Sequence, residues 1–320
     1  MNRLARALDT AMDVAVVPGY SRLGYAVRRR SWDTDDPARH ALRGTVAVVT
    51  GASSGLGTAA TAGLTRLGAT VHAVVRDLEK GRAAVTAVRD EVPGAAVVLH
   101  RCDVSDLTSV RSLAAELLGS LDRVDVLVHN AGVMPPTRSE TADGHELAFA
   151  THVLGPVLLT ESLRPLMVAA GRARVVVVSS GGMYAQKLDA DDPELRSHDY
   201  GGTAAYARTK RMQVALAPLM QERWAADGIA VHTMHPGWAD TPGVVTSLPA
   251  FHKVMGPLLR DPAGGADTIV WLAATEPPPG GGQLWHDRAP RPDHWLGRRR
   301  EDGGDPERLW AYVLSALALS

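Results

Sequence analysis

Cysteine is almost missing from this chain, and so is any surplus of charge. One of the 320 residues is a cysteine, Cys102, so no intramolecular disulfide can form and a reducing compartment is compatible with the count. No cysteine cluster exists to hold zinc or an iron–sulfur centre, and the 12 histidines contain no His-Glu-x-x-His arrangement, so no metal site is expected. Lysine and arginine total 34 against 35 aspartates and glutamates; the formal net charge of -1 offers no field to draw a polyanion, and nucleic acid is not an expected partner. No uninterrupted apolar run reaches the roughly 20 residues that a membrane-spanning helix needs. Internal repeats and low-complexity tracts are lacking too.

What is present is an ordinary globular balance, 45% hydrophobic and 22% charged, at a length that can bury one substantial core. The expected organisation is an arm over residues 1–42, one central domain over 43–287 and an extension over 288–320. Short apolar runs at Val46–Val49, Val71–Val75, Val97–His100, Val124–Val128, Val175–Val178, Ile229–Met234 and Gly282–Trp285 read as strands. Between them lie stretches of helical spacing, including Leu107–Leu118, a long region carrying Phe149, Leu154, Leu158 and Leu163, and Tyr206–Trp224. Such alternation implies a doubly wound α/β fold of Rossmann type, with a parallel sheet covered on both faces. Residues 276–282, rich in proline and glycine, read as a turn into the last strand. The tail over 288–305 reads as polar loop, and Pro306–Leu319 as a terminal helix against the core.

Gly51, Gly55 and Gly57 fall between the first strand and the first central helix. Missing side chains there allow close backbone approach, and the amides near Leu56 at the helix N-terminus can meet a pyrophosphate, with Ser53 and Ser54 as hydroxyl donors. The spacing departs from the usual dinucleotide fingerprint, so an ordinary glycine turn is the rival reading. Arg76 follows the second strand, where a carboxylate would favour NAD; a guanidinium there favours the 2′-phosphate of NADP or NADPH, with NAD or NADH left open by the neighbouring Asp77. Asp103 and Val104 close the third strand, where the carboxylate can orient adenine or cap the next helix. Asn130, Ala131 and Gly132 close the fourth, with the asparagine placed to lock a turn and Gly132 to leave room.

Tyr206 and Lys210 are four residues apart on a predicted helix and so share a face. A phenol begins near a pKa of ~10, and bringing its anion within reach at neutrality takes roughly 4 kcal/mol, part of which an adjacent ammonium supplies. Ser180 ends the fifth strand and offers a hydroxyl to a reacting oxygen. Tyr206 can then exchange a proton while a hydride passes between nicotinamide and carbon.

Thr50–Gly57, Asn130–Gly132, Ser180 and the Tyr206/Lys210 pair, in this order, resemble the short-chain dehydrogenase/reductase family over about residues 43–287. The resemblance implies that Pro236, Gly237, Trp238 and Thr241 meet the nicotinamide carboxamide. It also implies a nicotinamide-dependent oxidoreductase in which Lys210 holds ribose as well as tuning Tyr206. The 26-position separation of Ser180 and Tyr206, and stretches such as residues 178–183 and 234–244, resemble the retinol-dehydrogenase-type and member 12 branches of that family. Where relatives usually carry an asparagine in the central helix, this chain has His152; a proton relay through the ring and a buried structural substitution are both open.

Met183, Tyr184, Trp238, Val244, Val245, Leu248, Phe251 and Met255 read as a substrate wall, with core placement the alternative for several of them; their character favours an apolar carbonyl or alcohol, and residues 238–260 read as a lid or an ordinary surface loop. An isomerase or epimerase on the same fold, or a noncatalytic dinucleotide-binding protein, are the rival functions. Homo-oligomers through the helix of the tyrosine are common in the family, and the extensions here can obstruct that surface. Residues 1–30, with six arginines and an apolar helical side, read either as a peripheral membrane contact or targeting segment, or as a packed arm with its arginines in water. The expected location is cytoplasmic, at a membrane periphery if the first reading holds.

Overall fold

The computed structural model describes residues 3–197, 199–295 and 304–319. An eight-stranded sheet runs in the order β3-β2-β1-β4-β5-β6-β7-β8. Its strands are β1 (Val46–Thr50), β2 (Thr70–Val75), β3 (Val97–Arg101), β4 (Val126–His129), β5 (Ala173–Val178), β6 (Ile229–Met234), β7 (Gln283–His286) and β8 (Ala289–Arg291). All neighbours pair in parallel except β7 with β8. The seven strands read from apolar runs are present. β8 falls in the tail expected to be loop: its residues, Ala-Pro-Arg, carry no apolar run, and it forms because the chain reverses at Asp287 and Arg288 and lies antiparallel on β7.

The arm contains helices α1 (Arg3–Val14), α2 (Val17–Tyr20) and α3 (Arg22–Arg29). Helices α4 (Gly55–Arg66), α5 (Leu78–Glu91) and α12 (Pro262–Ala274) cover one face of the sheet, where Leu64, Val88 and Ile269 pack on Val49, Val71 and Val176. The other face is covered by α6 (Leu107–Ser120), by a helix built from α7 (Leu147–Phe149), a π-turn over Ala150–Leu154 and α8 (Gly155–Ala170), and by α9 (Gly202–Trp224). Strands with both faces covered need unbroken apolar sequence, which is why β1, β4 and β5 show almost no alternation. Each fully buried Val or Leu contributes about 1.5–3 kcal/mol relative to leaving it in water.

Residues 147–170 form the one helix among the described residues that is long and apolar enough to cross a membrane, and it lies in the core. Two short helices, α10 (Pro242–Ser247) and α11 (Pro249–Met255), precede α12, and α13 (Asp305–Ala316) closes the chain. Leu309 and Val313 of α13, with Leu317 just beyond it, bury themselves in the cluster holding Phe149 and Trp224, so α13 lies beside α9 as the terminal-helix reading expects.

The arm packs on the domain. Arg28 is buried rather than in water: it donates to Asp287 at 2.8 Å, Asp9 at 2.5 Å and the Gly19 carbonyl at 2.7 Å. Arg22, Arg29 and Arg30 are exposed.

Candidate active site

The glycine turn is explained residue by residue. Gly51 has φ +66°, and a Cβ on it would come within 2.8 Å of Ala131 Cα; a Cβ on Gly57 would meet the Gly51 carbonyl oxygen at 2.1 Å. A side chain at Gly57 would force the strand end and the helix start apart, and one at Gly51 would push the turn off the end of β4. Ser54 flanks α4 in extended conformation and makes no capping bond, so the first amides of that helix face the turn without a side-chain partner. Asn130 fastens the turn as expected, its Nδ2 donating to the carbonyls of Thr50 (3.0 Å) and Gly51 (3.1 Å). Thr50 Oγ1 in return accepts from the amides of Asn130 and Ala131.

At the far end of the sheet, Arg76 leaves β2 with a side chain 69% exposed and lies 3.9 Å from Asp103. Asp77 is committed to capping α5 through the amides of Glu79 and Lys80. The cap of α6 is Asp106, whereas Asp103 takes the amide and hydroxyl of Ser105 on one oxygen. Val104 is buried, and its carbonyl presses on Gly155, where a Cβ would approach to 2.1 Å.

Ser180 and Tyr206 come together at the end of β5. A hydrogen bond with Ser180 pulls the Tyr206 phenol down, but burial outweighs it and holds the group above its usual value. Lys210 is buried one turn along; its Nζ donates to the Val178 carbonyl at 2.7 Å and sits 5.5 Å from the Tyr206 ring centre. Burial pulls this ammonium down to about 7, since no carboxylate among the described residues pairs with it. The set thus places a hydroxyl, a phenol and a readily titrated ammonium at one strand end.

His152 stands behind the tyrosine, its ring edge-on to it at 5.4 Å. Its Nε2 accepts the Val133 amide at 3.0 Å, so Nδ1 carries the proton and donates to Thr209 Oγ1 at 2.7 Å; Thr209 donates onward to the Tyr206 carbonyl. Both ring nitrogens are engaged. Burial and the nearby Lys210 charge hold the ring well below the usual imidazole range. Pro156 has no N–H for the carbonyl four residues back, and Gln213 Nε2 donates to that His152 carbonyl instead, at 2.7 Å. The π-turn lies at this point, where the sequence pattern gave only a continuous helix.

Pro236, Gly237 and Trp238 follow β6. The Gly237 amide donates to His235 Nδ1, and Thr241 caps α10 while its methyl lies where a Cβ on Gly55 would sit 3.1 Å away. The segment over 238–260 is tied at its base, with the Arg260 amide on the Trp238 carbonyl and the Asp240 amide on the Arg260 carbonyl. Above that base, α10 and α11 contain no buried residue. Trp238 packs edge-on against Phe251, and Val244, Leu248, Phe251 and Met255 are half-buried, while Val245 is exposed. Met183 is fully buried with Val214 and Leu284, as the core alternative for it reads. Tyr184 is half-buried with its hydroxyl on the Pro292 carbonyl.

The sequence motifs did not point to one neighbour of this region, Tyr20 of the arm. Its ring packs on Gly181, beside Ser180, and its carbonyl takes the Trp238 amide. Nothing in the arm's composition marks that residue.

A model of the short chain dehydrogenase family matches residues 45–249. The chain is 39% identical over 306 residues to Dehydrogenase/reductase SDR family member 12 of Bos taurus, covering 93% of this chain and 94% of that one. It is 30% identical over 287 residues to Retinol dehydrogenase 13 of Homo sapiens, covering 86% and 85%. Among solved structures, an uncharacterized protein from Mycobacterium paratuberculosis shares the fold with a TM-score of 0.68 at 29% identity, over 87% of this chain and 95% of that one. A protein from Beutenbergia cavernae, with NADP bound at low occupancy, aligns with a TM-score of 0.62 at 25% identity, over 81% and 99%. The order of motifs, the sheet topology and these likenesses agree, and the protein belongs to the short-chain dehydrogenase/reductase family as one of its oxidoreductases.

Proposed function

We propose that this oxidoreductase uses NADP(H) to interconvert an apolar organic carbonyl and its alcohol, and that Ser180, Tyr206 and Lys210 perform the proton work. The meeting of those three groups at the end of β5 carries the proposal. NADPH, when bound, supplies the hydride to the carbonyl carbon. Ser180 donates to the substrate oxygen, Tyr206 delivers the phenolic proton to it, and the Lys210 ammonium holds ribose hydroxyls and draws the phenol back toward neutrality. In the other direction Tyr206 accepts the proton of the alcohol.

The chain fits the cofactor where a side chain would exclude it. The Gly51–Gly57 turn leaves a cradle that Cβ atoms would fill, and the first amides of α4 with Ser53 and Ser54 take the pyrophosphate. Arg76, with Asp77 withdrawn to a helix cap, takes the 2′-phosphate; Asp103 and Val104 take adenine; Asn130–Gly132 and Pro236–Thr241 flank the nicotinamide half. The bound NADP of the Beutenbergia relative supports the same choice. His152 acts as a strut for Tyr206 and not as a relay, because its Nε2 is held by a peptide N–H and its Nδ1 leads through Thr209 to the Tyr206 carbonyl rather than to the phenol.

The apolar substrate class rests on Trp238 and the half-buried residues of α10 and α11, and on the name of the retinol dehydrogenase relative. Peripheral membrane contact through the arm fits the same class. Asp9 and Asp13 turn inward to Arg28 and Arg291, while Leu8, Leu23 and Val27 are exposed, as are Arg22 and Arg29. Co-sedimentation of the full chain with anionic vesicles tests this, and failure to sediment would remove it. Self-association through α9 would have to displace α13.

The principal test is turnover with a panel of apolar aldehydes and ketones, read as NADPH oxidation together with a product heavier by two mass units. Tyr206→Phe is expected to lower turnover by about 10²–10⁴-fold while NADPH affinity stays put. Normal turnover by that variant sinks the assignment.

A further inference from the structure

The geometry points to Tyr20, on the N-terminal arm, as a positioning residue for the nicotinamide end of the bound cofactor, an inference that rests on the NADP(H) reading above. Tyr20 is 3% exposed although it belongs to a short surface helix. Its ring lies so close to Gly181 that a Cβ there would approach Tyr20 Cε2 to 2.6 Å, and Gly181 follows Ser180 directly. On its other side the ring meets His235 at 4.7 Å and Trp238 at 6.1 Å between centres. One aromatic side chain from the arm therefore spans from the serine turn to the loop after β6.

The backbone of the same residue fixes that loop. The Tyr20 carbonyl accepts the Trp238 amide at 2.8 Å and Arg260 Nε at 3.0 Å, and the Gly19 carbonyl accepts Arg260 Nη2 at 3.0 Å. Gly237 between them has φ +70°, and a Cβ on it would stand 2.7 Å from the Tyr20 carbonyl oxygen. The left-handed turn of Pro236–Trp238 is thus moulded against the arm, which ion pairs of Arg28 with Asp9 and Asp287 hold in place.

Tyr20 touches only one half of the proposed cofactor site. Its partners, with His286 at 5.3 Å between ring centres, end β5, β6 and β7, whereas the groups assigned to the adenine and 2′-phosphate, Arg76 and Asp103, leave β2 and β3 on the opposite side of the sheet. Loosening the ring should release the nicotinamide loop and leave the adenine pocket as it was. A residue that merely stabilised the fold would affect both halves alike.

Full-length wild type, Tyr20→Leu and Tyr20→Phe, titrated with NADPH and with adenosine 2′,5′-bisphosphate, which lacks the nicotinamide, separate the cases. Leucine keeps apolar bulk so that the chain folds, and phenylalanine keeps the ring. Tyr20→Leu is expected to weaken NADPH about tenfold, close to 1.4 kcal/mol, while the bisphosphate changes by less than about twofold, and Tyr20→Phe should match wild type for both ligands. Equal losses for the two ligands, or unchanged NADPH affinity in Tyr20→Leu, would overturn the role of Tyr20. Failure of wild type to bind NADPH would overturn the cofactor reading itself, and this inference with it.

Discussion

Around Asp287 the chain buries charge and matches it: Arg28, Arg260 and Arg291 are joined to Asp9, Asp13 and Asp287 at the seam between arm and domain. Around Tyr206 it buries one ammonium, Lys210, against a backbone carbonyl and gives it no carboxylate among the described residues. The two environments treat the charged form in opposite ways: the seam favours the Asp287 carboxylate, and the Tyr206 site disfavours the Lys210 ammonium. Burial alone would raise Asp287, yet Arg260 and Arg28 bring it below the usual carboxylate range, whereas Lys210 has nothing to oppose burial and falls to about 7. A closed network of partners makes the seam a structural joint, while the charge at Lys210, without a carboxylate, is the one that the proposed ribose and oxyanion contacts would draw on.

The sharpest way to break this contrast is to remove one carboxylate from the seam. Asp287→Ala leaves Arg28 and Arg260 buried without their shared partner, and about 3–5 kcal/mol of stability should disappear in denaturant unfolding. A loss of under about 1 kcal/mol would show that water already screens the seam.

The opposite sign is expected in the cleft. With its folded-state pKa depressed to about 7 from an ordinary 10.5, Lys210 costs stability in full below pH 7, and the cost fades as pH rises toward 10.5, because over that window the unfolded chain binds more protons. Lys210→Met in the cofactor-free protein should therefore be the more stable form, on the order of 3 kcal/mol below neutrality, with the gap to wild type closing in alkaline solution. Thermal unfolding across pH reads it directly; a gap independent of pH would deny the burial of the ammonium.

Smaller effects sharpen the picture. Arg76→Ala should reduce NADPH affinity by about 10–100-fold and leave NADH nearly unchanged, since a charge-assisted bond to phosphate contributes about 1.5–3 kcal/mol. An unaltered preference between the two cofactors would leave Arg76 as a surface cation. Smallest of all should be His152→Asn, with turnover within about threefold of wild type and the same pH profile, if the ring props Tyr206 through Thr209 without passing protons as proposed. A new pH dependence in that variant would restore the relay reading.

Much of the cleft was legible because its residues sit at fixed offsets from strand ends. Apolar runs located β1, β2, β4, β5 and β6, and the turn residues after each then had to share one edge of a parallel sheet. The seam was not legible. Asp9, Arg28, Arg260, Asp287 and Arg291 are scattered along the chain, and each alone looks like a solvated surface charge. Tyr20 was hidden in the same way, and a methionine beside a serine turn reads equally as wall or core until Val214 and Leu284 close over Met183. The π-turn had a visible cue in Pro156, but only the arrival of Gln213 shows how the freed carbonyl is satisfied.

The sequence by itself determined the doubly wound sheet, the glycine cradle and the pairing of Tyr206 with Lys210, since all of these follow from periodicity and backbone freedom within a few residues. The tertiary structure decided which side of Asp77 and Asp103 is spent locally, what His152 bonds to, and that the arm shapes the loop after β6. Those outcomes depend on burial and on partners brought together across more than 200 residues of chain, as between Tyr20 and Arg260, and no local pattern encodes such a meeting.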